Sequence, residues 1–192
     1  MTSSPARLVV ALSGGGRTLA NLLQVIDRGE LNACVNRVFA SRPCKGVEIG
    51  SNAGIDSSVE EGELTAEKLG AILDGAGCDW LVLAGYLRRI HLPDRYRGQC
   101  VNIHPALLPD FGGPGMYGDR VHAAVLASGA QETGCTVHIV DDQYDHGPHV
   151  LQRRCPVEPG DTVTTLAARV FALEKNAYPE ALRLLIAEQQ EA

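Results

Sequence analysis

An asparagine and a histidine stand two positions apart in the segment Asn102-Ile103-His104-Pro105, at the end of a short apolar run. In extended backbone, alternate residues point to the same side, so the amide and the imidazole are expected side by side. Together they supply a hydrogen-bond donor and a titratable group, which could hold a carbonyl oxygen as it gains negative charge. We expect His104, like Asp145 later in the chain, to lie on a polar loop surface rather than in the core. The same residue types also form turns, so a structural role stays open.

An acidic residue that could act on this histidine stands in the later segment Asp145-His146-Gly147-Pro148. A carboxylate near an imidazole raises the imidazole pKa and orients the ring, so we expect Asp145 to meet His104. A metal site is the competing interpretation, and its candidate ligands are Asp145, His146, His149, His138 and His104. Proline and glycine between His146 and His149 forbid the helix on which zinc-binding histidines usually lie, so we expect no metal.

Three successive glycines, Gly14, Gly15 and Gly16, separate the apolar run 8–12 from a segment of helical spacing. A strand, a glycine turn and a helix N-terminus together offer unpaired N–H groups and a positive dipole end, which suit a phosphate. The turn could also begin a dinucleotide site, but Leu19 occupies the third glycine position of that motif and no acid closes the second strand. Arg42, which follows the second strand, could bind the extra phosphate of NADP, so an NADP site is one alternative. A tight turn that binds no ligand is another.

Apolar runs alternate with segments of helical spacing along most of the chain. Strands are predicted at 8–12, 34–40, 80–84, 100–103, 134–140 and 149–155, and helices at 19–26, 45–52, 64–76, 119–128 and 162–188. A long loop rich in glycine and proline follows residue 104, and such loops are usually functional. The alternation predicts an α/β fold with a Rossmann-like, doubly wound, mostly parallel sheet, helices on both faces and an antiparallel C-terminal strand pair. We expect a single domain, 1–192.

The overall composition narrows the classes of partner. Of 192 residues, 17 are lysine or arginine and 23 are aspartate or glutamate, a net charge of −6. Without a basic run, nucleic acid is not an expected ligand. No apolar stretch is long enough to predict a membrane span or a secretion signal, so a cytoplasmic location is the default. The six cysteines are dispersed and are expected to be free thiols.

Several collinear segments resemble the folate-dependent formyltransferases that act on glycinamide ribonucleotide. The matching stretches are the strand and glycine turn 9–19, the segments 83–88, 102–109, 134–138 and 145–148, Glu174, and Tyr178-Pro179. They span nearly the whole chain. The most specific part of the signature is Asn-x-His-Pro-x-Leu-Leu-Pro from residue 102, followed later by Asp-x-Gly-Pro from residue 145.

This resemblance implies a reaction as well as a fold. The amine of glycinamide ribonucleotide would attack the formyl carbon of 10-formyltetrahydrofolate, the co-substrate, without a metal. Asn102 and protonated His104 would polarise the formyl oxygen. Asp145 would keep His104 charged, which implies a raised pKa, and would help to move the proton off the attacking nitrogen.

The resemblance also implies the residues that bind the two substrates. The phosphate and ribose of the ribonucleotide would contact Gly14, Gly15, Gly16, Arg17, Thr18 and Glu174. The folate would contact Tyr86, Leu87, Arg88, Arg89, Ile90, Val140, Asp141 and Tyr144. The partners are therefore small molecules, and the protein would be a monomer or a homodimer. Near 62–64 there is no clear basic residue of the kind common in the family, and Lys68 is the nearest candidate.

Three alternatives remain open at this point. The same site could hydrolyse formyltetrahydrofolate, although hydrolases of this group carry an extra N-terminal domain, for which a first strand at Leu8 leaves no room. It could formylate a different amine. The chain could also be a nucleotide-binding module without catalysis, which would have no reason to bind a pterin.

Overall fold

The computed structural model describes residues 4–191, which form seven strands and five α-helices. The strands are β1 (Ala6–Leu12), β2 (Ala33–Ala40), β3 (Asp56–Val59), β4 (Trp80–Leu83), β5 (Cys100–His104), β6 (Glu132–Ile139) and β7 (His149–Pro156). The helices are α1 (Arg17–Asp27), α2 (Lys45–Asn52), α3 (Ala66–Ala76), α4 (Asp119–Ser128) and α5 (Val163–Glu191), and one 3-10 turn covers Asp94–Tyr96. The strands hydrogen-bond in the order β3-β2-β1-β4-β5-β6-β7.

The chain forms two compact units, one of residues up to 101 together with those from 186 onward, the other of residues 102–185. In the first unit, β1 pairs in parallel with β2 and β4, and β2 with β3. All residues of β1 except Arg7 are buried, because helices cover a parallel sheet on both sides. In the second unit, β6 pairs antiparallel with β7. The predicted α/β class, mostly parallel with an antiparallel C-terminal pair, is confirmed.

Each predicted helix and strand is present within a few residues of its expected bounds, but β3 was not predicted. Its sequence, Asp-Ser-Ser-Val, has one apolar residue and no fully buried side chain. A polar strand is tolerated here because β3 lies at the edge of the sheet, where one side has no neighbouring strand. The expectation of a single domain stays a prediction.

The remaining expectations concern cysteines and membrane spans. All six cysteines are free; Cys34 and Cys44 are half-buried and the other four are buried. Burial raises the pKa of Cys78 to about 12, so this thiol stays protonated. Among residues 4–191, no helix combines the length and the apolar character needed to cross a bilayer.

Candidate active site

Four polar side chains of the second unit converge at the ends of its strands. The Asp145 carboxylate lies 3.5 Å from His104 Nδ1 through Oδ2 and 3.5 Å from His138 Nε2 through Oδ1. Asn102 Nδ2 lies 3.1 Å from His138 Nε2. The structure thus brings together Asn102, His104 and Asp145 and adds His138, which joins the amide to the carboxylate.

Each member of this cluster is placed by a different element. Asn102 and His104 alternate along β5, and His138 lies near the end of β6. Asp145 lies in the turn after β6, where its φ is +55°, a left-handed value that aspartate adopts more readily than most residues. The amide N–H of Gly113 donates to Asp145 Oδ2 at 2.9 Å and so fixes the carboxylate against the loop after β5.

The loop after β5 is supported from β6 and β7. Thr136 Oγ1 accepts from the Leu108 amide at 3.0 Å and donates to the Ala106 carbonyl at 2.8 Å. Gln152 Nε2 donates to the Leu108 carbonyl and to Thr136 Oγ1, both at 2.9 Å. This support holds the loop so that the Phe111 carbonyl accepts from His104 Nε2 at 2.9 Å.

The cluster is buried, contrary to the expectation of a polar loop surface. The side chain of His104 is 4% exposed and that of Asp145 11%. The expectation was wrong because the loop that follows β5 folds back over the strand end, where its Phe111 carbonyl accepts from His104 and its Gly113 amide donates to Asp145. Electrostatic interactions in the cluster are consequently stronger than they would be in water.

Burial also reverses the expected direction of the His104 pKa. Burial lowers the pKa of His104 below its ordinary value of 6.5, and this outweighs the opposing effects of Asp145 and the Phe111 carbonyl; nearby His138 lowers it further. The expected raised pKa is therefore wrong, and His104 is mainly neutral at pH 7. Burial alone would raise the pKa of Asp145, but His138, His104 and the Gly113 amide together lower it. The cluster thus contains an ionised carboxylate beside a neutral imidazole.

The hydrogen bonds indicate which groups remain available for chemistry. His138 Nδ1 lies 3.0 Å from the Ile139 carbonyl, and in the tautomer that donates to this carbonyl, Nε2 accepts one N–H of Asn102 at 3.1 Å. A primary amide has two N–H groups, and Asn102 can therefore donate the second to a substrate oxygen. A neutral imidazole next to a carboxylate can accept a proton, because the carboxylate stabilises the resulting positive charge.

A Gly112→Ala substitution should disturb Asp145 directly. An added Cβ would lie 2.5 Å from Leu108 Cδ2 and 3.2 Å from Asp145 Cβ, so both neighbours must move. We expect stability to fall by about 1–3 kcal/mol and kcat to fall at least tenfold, since misplacing a catalytic group by about 1 Å costs up to about 100-fold. The matched control is Gly75→Ala, where the added Cβ meets no atom within 4 Å. Equal kcat in both variants would contradict a positioning effect on Asp145.

The glycine turn of the first unit has the predicted strand, turn and helix arrangement. Gly16 precedes α1 with φ +72°, and a Cβ there would lie 2.6 Å from the Cα of Gly46. Only glycine fits this close approach. Arg17 is exposed at the start of α1, and Thr18 is half-buried beside it.

Residues 86–90 differ in exposure. Tyr86 is buried and packs edge-to-face against Phe39, with ring centroids 5.7 Å apart. Arg88 Nη1 donates to the Gly62 carbonyl at 2.5 Å. An open depression of about 520 Å³ is lined by Gly62, Glu63, Leu64, Arg88, Arg89 and His91. Lys68, the basic residue considered near this segment, instead pairs with Glu60 at 2.9 Å.

The other predicted binding residues lie in the second unit. Both carboxylate oxygens of Asp141 are used within its own turn: Oδ1 accepts from the Gln143 amide and Oδ2 from His146 Nδ1, each at 2.8 Å. Tyr144 is 47% exposed, and Val140 is half-buried. Glu174 lies half-buried on α5.

The sequence did not single out His138 for this cluster, although it appeared among the possible metal ligands. A signal was present, because Thr136 and His138 are polar residues that alternate with the apolar Cys135, Val137 and Ile139 and so point to the same side. Within residues 4–191, no group of three or more acidic, histidine or cysteine side chains is arranged to hold a metal ion.

Comparison with known proteins finds relatives that match nearly the whole chain. The formyl transferase family matches residues 6–182. The chloroplastic phosphoribosylglycinamide formyltransferase of Vigna unguiculata is 37% identical over 192 residues, 95% of this chain and 62% of that protein. The human trifunctional purine biosynthetic protein adenosine-3 is 33% identical over 94% of this chain and 18% of its own length. The chain thus spans about three fifths of the first relative and under a fifth of the second.

Solved structures agree in fold. Glycinamide ribonucleotide transformylase 1 from Symbiobacterium toebii superposes with a TM-score of 0.87 at 33% identity, covering 95% of this chain and 88% of that one. The corresponding enzyme from Geobacillus kaustophilus gives 0.85 at 34% identity, covering 94% and 98%. With a family match over most of its length and relatives of this similarity, the chain belongs to the formyl transferase family.

Proposed function

We propose that this chain transfers a formyl group from 10-formyltetrahydrofolate to the amine of glycinamide ribonucleotide, a step of purine biosynthesis. The observation that carries the proposal is the cluster of Asn102, His104, His138 and Asp145, in which two buried imidazoles meet a half-buried amide and a half-buried carboxylate. Relatives that cover most of this chain are named for this acceptor. The folate supplies a formyl group attached to a nitrogen that can leave.

In the proposed reaction, the bond from the acceptor nitrogen to the formyl carbon forms and the bond from that carbon to the folate nitrogen breaks. Asn102 donates its second N–H to the formyl oxygen as that oxygen becomes negative. Neutral His104 takes the proton from the attacking amine, and Asp145, 3.5 Å away, stabilises the charged ring. His104 then gives this proton to the departing nitrogen, so no proton is gained or lost overall. The chain's own side chains supply every group in this account, and no metal takes part.

We assign binding roles in each unit separately. In the first unit, Gly14, Gly15, Gly16, Arg17 and Thr18 would hold the phosphate, and the segment 86–90 would contact the folate. Tyr86 would support this segment from beneath, because its ring packs on Phe39. In the second unit, Val140 and Tyr144 would contact the folate and Glu174 the ribose. Asp141 would shape its turn, since both of its oxygens are already bonded there.

The direct test is an assay of the purified full chain with both substrates. We expect formylated acceptor and tetrahydrofolate to form in equal amounts and only when glycinamide ribonucleotide is present. Release of formate at the same rate without an acceptor would favour the hydrolase instead. Activity with another amine but not with this ribonucleotide would reject the proposed acceptor.

Arg17→Ala should weaken the binding of the phosphorylated acceptor and leave the binding of the folate nearly unchanged. A guanidinium at the start of α1 adds charge-assisted hydrogen bonds to a phosphate, so its loss should raise the KM for the acceptor roughly tenfold or more. The Kd for the folate should stay within about twofold. Arg28→Ala, at the C-terminal end of the same helix, removes an exposed Arg28–Glu30 pair and serves as the control. An equal loss of both affinities would remove Arg17 from the phosphate site.

A further inference from the structure

Ser13, the residue before the glycine turn, uses every one of its polar atoms. Its amide donates to the Gly85 carbonyl at 3.1 Å, and its carbonyl accepts from Arg42 Nε at 2.8 Å. Its hydroxyl accepts from the Leu87 amide at 2.9 Å and lies 2.7 Å from the Ser41 hydroxyl. Ser13, which directly follows β1, therefore bonds to the segments that follow β2 and β4.

The Ser13 hydroxyl is a buried link between the Leu87 amide and the Ser41 hydroxyl. Ser13 is 1% exposed and Ser41 3%, so water does not compete for either hydroxyl. The Leu87 amide donates to the Ser13 hydroxyl oxygen, and this hydroxyl shares a second hydrogen bond with the Ser41 hydroxyl, so the three groups form one chain. Hydrogen bonds in such a chain polarise one another, and breaking one weakens the next.

Ser13 joins the two segments of the first unit to which we assign ligand binding, the glycine turn and the segment that follows β4. On one side, Gly14 follows Ser13 directly and its carbonyl accepts from the Gly46 amide at 3.1 Å, which ties the turn to α2. On the other side, Leu87 is 44% exposed although its amide is held inside by Ser13. Two hydrogen bonds of Ser13 therefore connect the start of the glycine turn to the backbone of residues 85–87.

We propose that Ser13 is a positioning residue that couples the glycine turn to the segment 85–90, so that a ligand on either one tightens the other. This proposal rests on the proposed function, which places the acceptor phosphate on the glycine turn and the folate on 85–90. Coupling of this kind is reciprocal: the acceptor raises folate affinity by the same factor by which the folate raises acceptor affinity.

The test is calorimetric binding to the full chain. Two ligands are used, glycinamide ribonucleotide and tetrahydrofolate, which has no formyl group to transfer. Each Kd is measured with and without a saturating amount of the other ligand. We expect a coupling factor of about five or more in the wild type and close to one in Ser13→Ala. Ser57→Ala, which removes a hydroxyl bonded to the Ile55 carbonyl in the same unit, should keep the wild-type factor.

A purely structural role for Ser13 would weaken both ligands and leave the coupling factor unchanged, and that result would overturn the proposal. If both ligands bind the wild type independently, the coupling is refuted while the proposed function stands. If neither ligand binds, the proposed function itself fails.

Amide hydrogen exchange on the wild type keeps the proposal testable if Ser13→Ala does not fold. The ribonucleotide alone should slow exchange of the Leu87 amide by about the coupling factor. Unchanged exchange with the ribonucleotide bound would overturn the coupling.

Discussion

His104→Ala should reduce formyl transfer at least 100-fold, because proton transfer by a positioned side chain contributes about 100- to 10,000-fold. The Kd of each substrate should change by less than about threefold, since the proposed role of His104 lies in the reaction rather than in binding. The measurement is single-turnover transfer with both substrates saturating. Retention of more than about a tenth of the wild-type rate would refute the assigned role.

The stability of this variant should fall as well. Removing the ring leaves the Phe111 carbonyl without its donor and takes away one of the groups that surround the Asp145 carboxylate, at a cost of about 1–3 kcal/mol. The rate must therefore be measured below the temperature at which the variant unfolds. His149→Ala is the control, because His149 is exposed on β7 and should affect neither rate nor stability.

Asp145→Asn should also reduce transfer at least 100-fold, because the amide cannot stabilise a charged His104 ring. Asparagine tolerates the left-handed backbone at this position, where φ is +55°, so the loss reports the charge rather than the fold. Since Asp145 raises the pKa of His104 against the effect of burial, the substitution should move that pKa still lower. Imidazole NMR titration of both proteins measures this, and an unchanged pKa would contradict the pairing.

The dependence of stability on acid pH provides a second test of the Asp145→Asn variant. The folded protein holds the pKa of Asp145 below its ordinary value of 3.8. A carboxyl with a lowered pKa contributes stability that is complete above its unfolded value and is lost as the pH falls toward the folded value. The free energy of unfolding should thus fall less between pH 5 and pH 3 in Asp145→Asn than in the wild type. Parallel curves for the two proteins would count against the shift.

The sheet and helices could be predicted because their apolar periods are long and regular. The apolar run 8–12 and the helical spacing of apolar residues after it both follow from burial in the core. The strand β1 and the helix α1 lie where these patterns predict them. β3 could not be predicted, because an edge strand is held mainly by backbone hydrogen bonds and needs few apolar side chains. Its sequence, Asp-Ser-Ser-Val, therefore lacks the apolar pattern by which strands are recognised.

The candidate site was predictable to a different degree at each position. That Asn102 and His104 point to the same side could be predicted, because they alternate along a strand. Their contact with Asp145 could not, because it depends on the backbone conformation of the turn after β6, and a turn has no periodic sequence pattern. Burial of His104 could not be predicted either, because the Phe111 carbonyl and the Gly113 amide that enclose the cluster belong to a loop. That error produced the wrong pKa direction. The roles of the site residues stay predictions until the variants are measured.

The burial of the cluster bears on how chemical labelling of this protein should be interpreted. Of the six histidines, His104, His122 and His138 are buried, whereas His91, His146 and His149 reach solvent to different extents. An acylating reagent specific for imidazole meets the second group first. Inactivation by such a reagent therefore does not by itself identify His104 as the modified residue, and neither does protection by substrate.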